Sequence, residues 1–163
     1  MKTKHVLIAI LCVCASTSFA QTSDAEAEAM INLLGVQKKE AIAHLVQVSG
    51  KDSVAFWKIY DEYQVANKKT ALSRIKLYEK TALSYDKMTP ARADSLSKQY
   101  FINRGEQEKS LELYYNKVKV ATNAVVAFEF FQAEVYLLTQ IRAQIMSQIP
   151  TYGQLMVMSK QKR

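Results

Sequence analysis

Cysteine, glycine and proline are all scarce in this 163-residue chain, which has two Cys, four Gly and two Pro. So little glycine excludes a collagen-like repeat, and so few chain breakers argue against a turn-rich all-β domain. Histidine is nearly as rare, with two residues, and the 15 acidic residues are outnumbered by 22 Lys plus Arg, for a net charge of +7. No Gly-rich phosphate loop, nucleophile elbow or repeat of solenoid period is found. What the chain does have is apolar surface. At 49% apolar residues it can offset the cost of ordering its backbone, which excludes a wholly disordered chain.

The N-terminus reads as a targeting segment. Lys2 and Lys4 precede an unbroken apolar run from Val6 to Val13, and Ser18-Phe19-Ala20 has the small-x-small form of a signal peptidase site. The reading predicts a cleaved secretory signal over 1–20, cut after Ala20, and a product that is periplasmic or secreted. Leu11 before Cys12 and Val13 before Cys14 fit a lipoprotein site poorly. Cleavage would remove both cysteines, excluding disulfides and thiolate chemistry, and would leave His44 as the single imidazole. Losing Lys2 and Lys4 lowers the net charge from +7 to +5. No later apolar run reads as long enough to cross a membrane, so the product is expected to be soluble and not an integral membrane protein.

Helical spacing dominates the remainder, and the expected fold class is all-α: about four helices built on one long antiparallel helical hairpin. A single domain is expected over 21–150, with a flexible basic tail over 151–163. A first helix starts at Asp24, with Asp24, Glu26 and Glu28 near the positive end of its dipole; Gly35 ends or kinks it near Leu34, and helical character resumes over 36–48. Ser49 with Asp52 resembles a capping arrangement for a second helix running to about Tyr85, whose face carries Phe56, Ile59, Tyr60, Tyr63, Ala66 and Asn67. Thr89-Pro90 reads as N-cap and first position of a third helix. Its thin stripe is Leu96, Tyr100, Leu111, Tyr114 and Val118, with Asn103 and Gln107 between, so one flank is expected to stay wet. Thr122 or Asn123 caps the last helix, which stops at Pro150. Its apolar residues cover more than one face, so it is expected to be the most surrounded element or to meet another subunit.

Charge is concentrated in one segment. Residues 67–104 hold nine cations, including Lys68, Lys69, Arg74 and Arg92, against Glu79, Asp86 and Asp94. This places the net charge at the bend joining the two long helices, where it favours anionic partners or simply solubilises the surface. Interleaved Tyr78, Tyr85, Met88 and Tyr100 make a mixed basic and aromatic surface of the kind that holds flexible apolar chains. Nucleic acid would suit such a lobe, but export argues against it.

Candidate chemistry is sparse. Asp61 and Glu62 are adjacent and point in different directions on a helix. Glu129 has apolar neighbours, an environment that raises a carboxylate's pKa unless it reaches solvent or a lysine. Glu40 and His44, four apart on one helical face, are two ligands of the type that begins a zinc or nickel site. The plain alternative is a surface histidine beside a glutamate.

The segments Phe56-Trp57-Lys58-Ile59-Tyr60-Asp61-Glu62-Tyr63-Gln64 and Phe130-Phe131-Gln132-Ala133-Glu134, continued by Ile141-Arg142-Ala143-Gln144-Ile145 and Gln148-Ile149-Pro150, resemble a broad group of small exported bacterial helical proteins. That group is distantly similar to the Spy/CpxP periplasmic superfamily of bent helical hairpins that dimerise into a cradle. Met88-Thr89-Pro90-Ala91-Arg92 keeps the threonine of the superfamily's Leu-Thr-x-x-Gln pattern and replaces its glutamine with arginine. The resemblance implies a non-enzymatic, ATP-independent chaperone or envelope-stress accessory without a cofactor; some relatives sense metals instead. On this reading Phe56, Trp57, Tyr60 and Tyr63 anchor unfolded or exposed envelope polypeptides while Lys68, Lys69, Arg74 and Arg92 steer them; the competing reading makes the four aromatics ordinary core. A homodimer is expected, with a structural interaction subunit as the further alternative.

Overall fold

The computed structural model describes residues 24–48 and 50–147. The expected signal segment, Ser49 of the capping arrangement, Pro150 and the basic tail lie outside these residues. Among the described residues the chain is all-α, with α1 (Asp24–Leu45), α2 (Gly50–Ser84), a 3-10 turn (Tyr85–Lys87), α3 (Pro90–Ala121) and α4 (Ala124–Ser147).

Local signals account for most of the boundaries. The Thr89 side chain accepts from the Arg92 backbone N–H at 3.3 Å, with Pro90 at the first helical position where a missing N–H costs nothing. Of the two candidate caps for α4, Asn123 performs the role: its Oδ1 accepts from the N–H groups of Val125 and Val126 at 2.9 and 3.1 Å. Thr122 instead closes α3, its hydroxyl donating to the Val118 carbonyl at 2.8 Å. Gly35 does not interrupt α1. A helical glycine costs about 1 kcal/mol relative to alanine, but here its carbonyl accepts from Gln64 Nε2 of α2 at 3.1 Å. Packing on α2 carries the helix through.

The two longest helices lie side by side and antiparallel. Glu62 meets Lys117, Thr70 meets Asn103 and Thr81 meets Tyr100, so position on α3 falls as position on α2 rises. At 1.5 Å per residue the 35 residues of α2 extend about 50 Å. The bend between them, residues 85–90, is exposed throughout. The α1 and α4 helices pack on this pair so that four helices surround the end away from the bend, and the last turns of α4, at Arg142 and Met146, reach along the pair to Tyr78, Thr81 and Tyr100.

The core lies in the four-helix half. Phe56, Tyr60 and Tyr63 from α2 and Phe130 from α4 are essentially inaccessible, and Tyr114 of α3 is buried beside them. Phe130 takes three rings edge-on: Tyr63 at 5.5 Å and 88° between planes, Tyr60 at 6.2 Å and 87°, and Phe56 at 6.3 Å and 79°. Edge-to-face rings gain about 0.5–1.5 kcal/mol per pair beyond the area they bury. The Glu129 carboxylate accepts from the Gln47 backbone N–H at 2.9 Å, tying the α1–α2 connection to α4. Among the described residues it reaches backbone and no lysine.

The α4 helix is not surrounded. Its buried face is Val126, Ala127, Phe130, Ala133, Glu134 and Leu137, while Val125, Phe128, Val135 and Tyr136 are exposed. It is also long and apolar enough to cross a membrane by length and composition. This corrects the expectation that no such run follows the N-terminus: its charged groups are few, and one of them, Glu134, is turned inward.

Candidate functional site

The most unusual group in the core is a carboxylate. Glu134 is fully inaccessible, and its Oε2 accepts from two donors at 2.8 Å, Lys38 Nζ of α1 and the Tyr63 hydroxyl of α2. The Lys38 ammonium also lies 5.1 Å from the centre of the Tyr63 ring, where the ring's negative face adds to its stabilisation. Each partner is on the inward stripe of its helix. Lys38 precedes buried Ala41 and Ile42, and Glu134 lies between Phe130 and Leu137. The other oxygen, Oε1, accepts no hydrogen bond from the described residues.

This network sets the titration of the aromatic core. Burial pushes the Tyr60 and Tyr63 phenols well above their ordinary range, and the charge of Glu134 pushes them further the same way. Both stay neutral and hydrogen-bonding. The carboxylate, already engaged by an ammonium and a phenol, acts as an anchor joining three helices.

Lys38 and Tyr63 also form the floor of a cleft enclosed by α1, α2 and α4, with Gln107 of α3 at one side. Its volume is about 100 Å³, and it adjoins a groove of about 270 Å³ that shares Arg74, Tyr78, Gln107 and Arg142 with it. Arg74 is half-buried and donates to Gln107 Oε1, a neutral partner. Burial holds its guanidinium below the ordinary value, and the positive charge of Arg142 acts in the same direction while Tyr78 opposes it.

The sequence-derived residues fall in several places. Phe56, Tyr60 and Tyr63 are core side chains, the alternative to their reading as client anchors: rings buried among other rings offer no broad face to a client. Trp57 is half-buried, with the Lys39 ammonium 5.5 Å from its ring centre. Lys68 pairs with Glu28 of α1, and Arg74 faces the cleft. Lys69 is exposed. Arg92 is exposed beside the bend, its guanidinium donating to the Lys87 carbonyl at 3.2 Å. These eight residues therefore form no single surface. Glu40 and His44 are exposed on α1, and among the described residues no group of three potential metal ligands is found.

Residue-by-residue reading missed Lys38, Glu134 and Arg142 as a group. The available signal was positional, a charged residue on the buried stripe of an apolar helix, which requires a partner inside. Comparison with family models, with curated proteins and with solved structures returns no match.

Proposed function

We propose that this is a non-enzymatic, exported binding protein that holds exposed apolar segments of other polypeptides. The observation that carries the reading is the apolar surface beside the basic half of the hairpin. Phe101 is 75% and Ile102 63% exposed on α3. Phe101 borders a groove with Arg104 and Arg142, and Ile102 borders another with Lys69. Large apolar side chains interleaved with cations offer a flexible chain contact area without demanding one sequence. The likeness of the sequence to small exported helical proteins supports the same reading, with Phe101 and Ile102 taking the role first given to the α2 aromatics.

The test is a light-scattering assay of a denatured client. Stoichiometric protein should suppress aggregation, and Phe101→Ser with Ile102→Ser should lose at least half of that effect, since exposed positions cost little stability. Unchanged aggregation with the wild-type protein would end the reading. The exposed stripe of α4, Val125, Phe128, Val135 and Tyr136, supports a homodimer as part of the same proposal. Sedimentation should show a dimer that Phe128→Glu dissociates.

A further inference from the structure

The cleft and its adjoining groove have an unbalanced charge. Lys38, Lys68, Arg74, Arg104 and Arg142 line them, and no aspartate or glutamate does. Two of the five are accounted for: Lys38 is held by Glu134, which lies behind the cleft wall, and Lys68 is held by Glu28. Arg74 and Arg142 have no carboxylate partner among the described residues. Bringing two guanidinium groups into a partly desolvated cleft without an anion is unfavourable, because each loses hydration and repels the other. The wall also carries the aliphatic side chains Ile31, Leu34, Ile75, Leu138, Ile141 and Ile145, with the uncharged polar Gln64, Asn67 and Gln107 among them.

We infer that this cleft binds a small amphiphile with an anionic head group, the head held between Arg74 and Arg142 and the apolar chain lying along Ile31, Leu34, Ile141 and Ile145. Guanidinium groups match carboxylate and phosphate oxygens bidentately, and an anion there would remove the like-charge repulsion. On the same wall Gln107 accepts from Arg74 and so helps orient its guanidinium. Cleft and groove together reach the lower end of the range for small-molecule sites, about 300–1,000 Å³, which selects a single-chain ligand over a bulky one. Phe101 borders the groove end of this site and Ile102 lies outside it; the cleft recognises charge plus a chain, whereas their exposed faces offer contact area alone.

Calorimetric titration of the purified protein with three probes of equal chain length tests the inference. Dodecanoate and dodecyl phosphate, below their aggregation concentrations, should each bind at one site, and uncharged dodecyl maltoside should bind at least tenfold more weakly. Arg142→Gln should weaken both anions about tenfold or more, the range for losing a charge-assisted hydrogen bond. Arg142 makes no hydrogen bond to another described side chain, so this variant should keep the wild-type helical circular dichroism; Arg74→Gln, which also loses its bond to Gln107, is the companion. Tighter binding of dodecanoate would identify a carboxylate head, and tighter binding of dodecyl phosphate a phosphate ester. Equal binding of the uncharged probe, no binding of either anion, or unchanged affinity in a folded Arg142→Gln variant would each overturn the inference.

Discussion

The two halves of this molecule are held together by different physics, although α2 and α3 run through both. Around Phe56, Tyr60, Tyr63 and Phe130, four helices enclose rings packed edge-on and a fully buried acid. Toward the bend the packing is chiefly α2 against α3, flanked by the last turns of α4, and the α2–α3 seam alternates apolar and polar contacts: buried Leu77, Tyr78 and Leu96, then Asn103 donating to the Thr70 carbonyl at 2.9 Å and Thr81 paired with the Tyr100 hydroxyl at 2.9 Å. With fewer large apolar side chains buried in it, the seam uses hydrogen bonds to fix register where the other half uses volume. Exposed cations collect toward the bend, whereas exposed apolar side chains occur in both halves, with Phe101 and Ile102 near the bend and Val125, Phe128, Val135 and Tyr136 on α4.

That contrast is sharpest at Glu134. Glu134→Ala should destabilise the protein by about 3–5 kcal/mol in chemical denaturation, because it leaves the Lys38 ammonium buried without a counter-charge. Replacing both partners, Lys38→Met with Glu134→Leu, should recover most of that loss, since paired burial of charge is expensive in the first place. If the single substitution costs under 1 kcal/mol, the four-helix half is not organised around this carboxylate.

Alkaline pH should separate the halves next. Tyr60 and Tyr63 have folded-state pKa values raised above the unfolded value near 10. The unfolded chain therefore releases protons that the folded chain retains, and stability is full below pH 10 and falls above it. One pH unit beyond that point, two such groups remove about 2–3 kcal/mol. Thermal unfolding followed at pH 9, 10 and 11 should show this fall, with part of the phenolate absorbance appearing only as the helices melt. Equal midpoints at pH 9 and 11 would contradict the burial of these phenols.

The smallest effect belongs to the bend. Thr89→Ala removes one N-cap hydrogen bond and should cost about 1 kcal/mol, seen as faster amide exchange in the first turn of α3 with the core amides unchanged. Protection lost throughout the chain would mean that the two halves unfold as one.

Much of this architecture is legible along the chain. Thr89-Pro90 and Asn123 act within a few residues of themselves, so their consequences follow from local geometry, and the α3 stripe with Leu96, Leu111, Tyr114 and Val118 follows from helical period alone. Asn103 and Gln107 were readable as members of that stripe, but their burial was not, because it depends on Thr70 and Arg74 arriving opposite them. Gly35 misleads for the same reason. Its intrinsic cost is local, whereas the contact with Gln64 that offsets it comes from another helix. The aromatic set of α2 shows the remaining limit: spacing put Phe56, Tyr60 and Tyr63 on one face, and a face of rings reads alike whether a client or Phe130 covers it.

By itself the order of residues determined the helices, their caps, the sharp bend at Thr89-Pro90 and the concentration of cations beside it, since each of these depends on neighbours within about two turns. Only the tertiary structure decided that Glu134 would meet Lys38 and Tyr63, that α4 would keep an uncovered apolar face, and that Arg74 and Arg142 would share one cleft. Those pairings join residues tens of positions apart, and helical periodicity says which way a side chain faces without saying what it will find there.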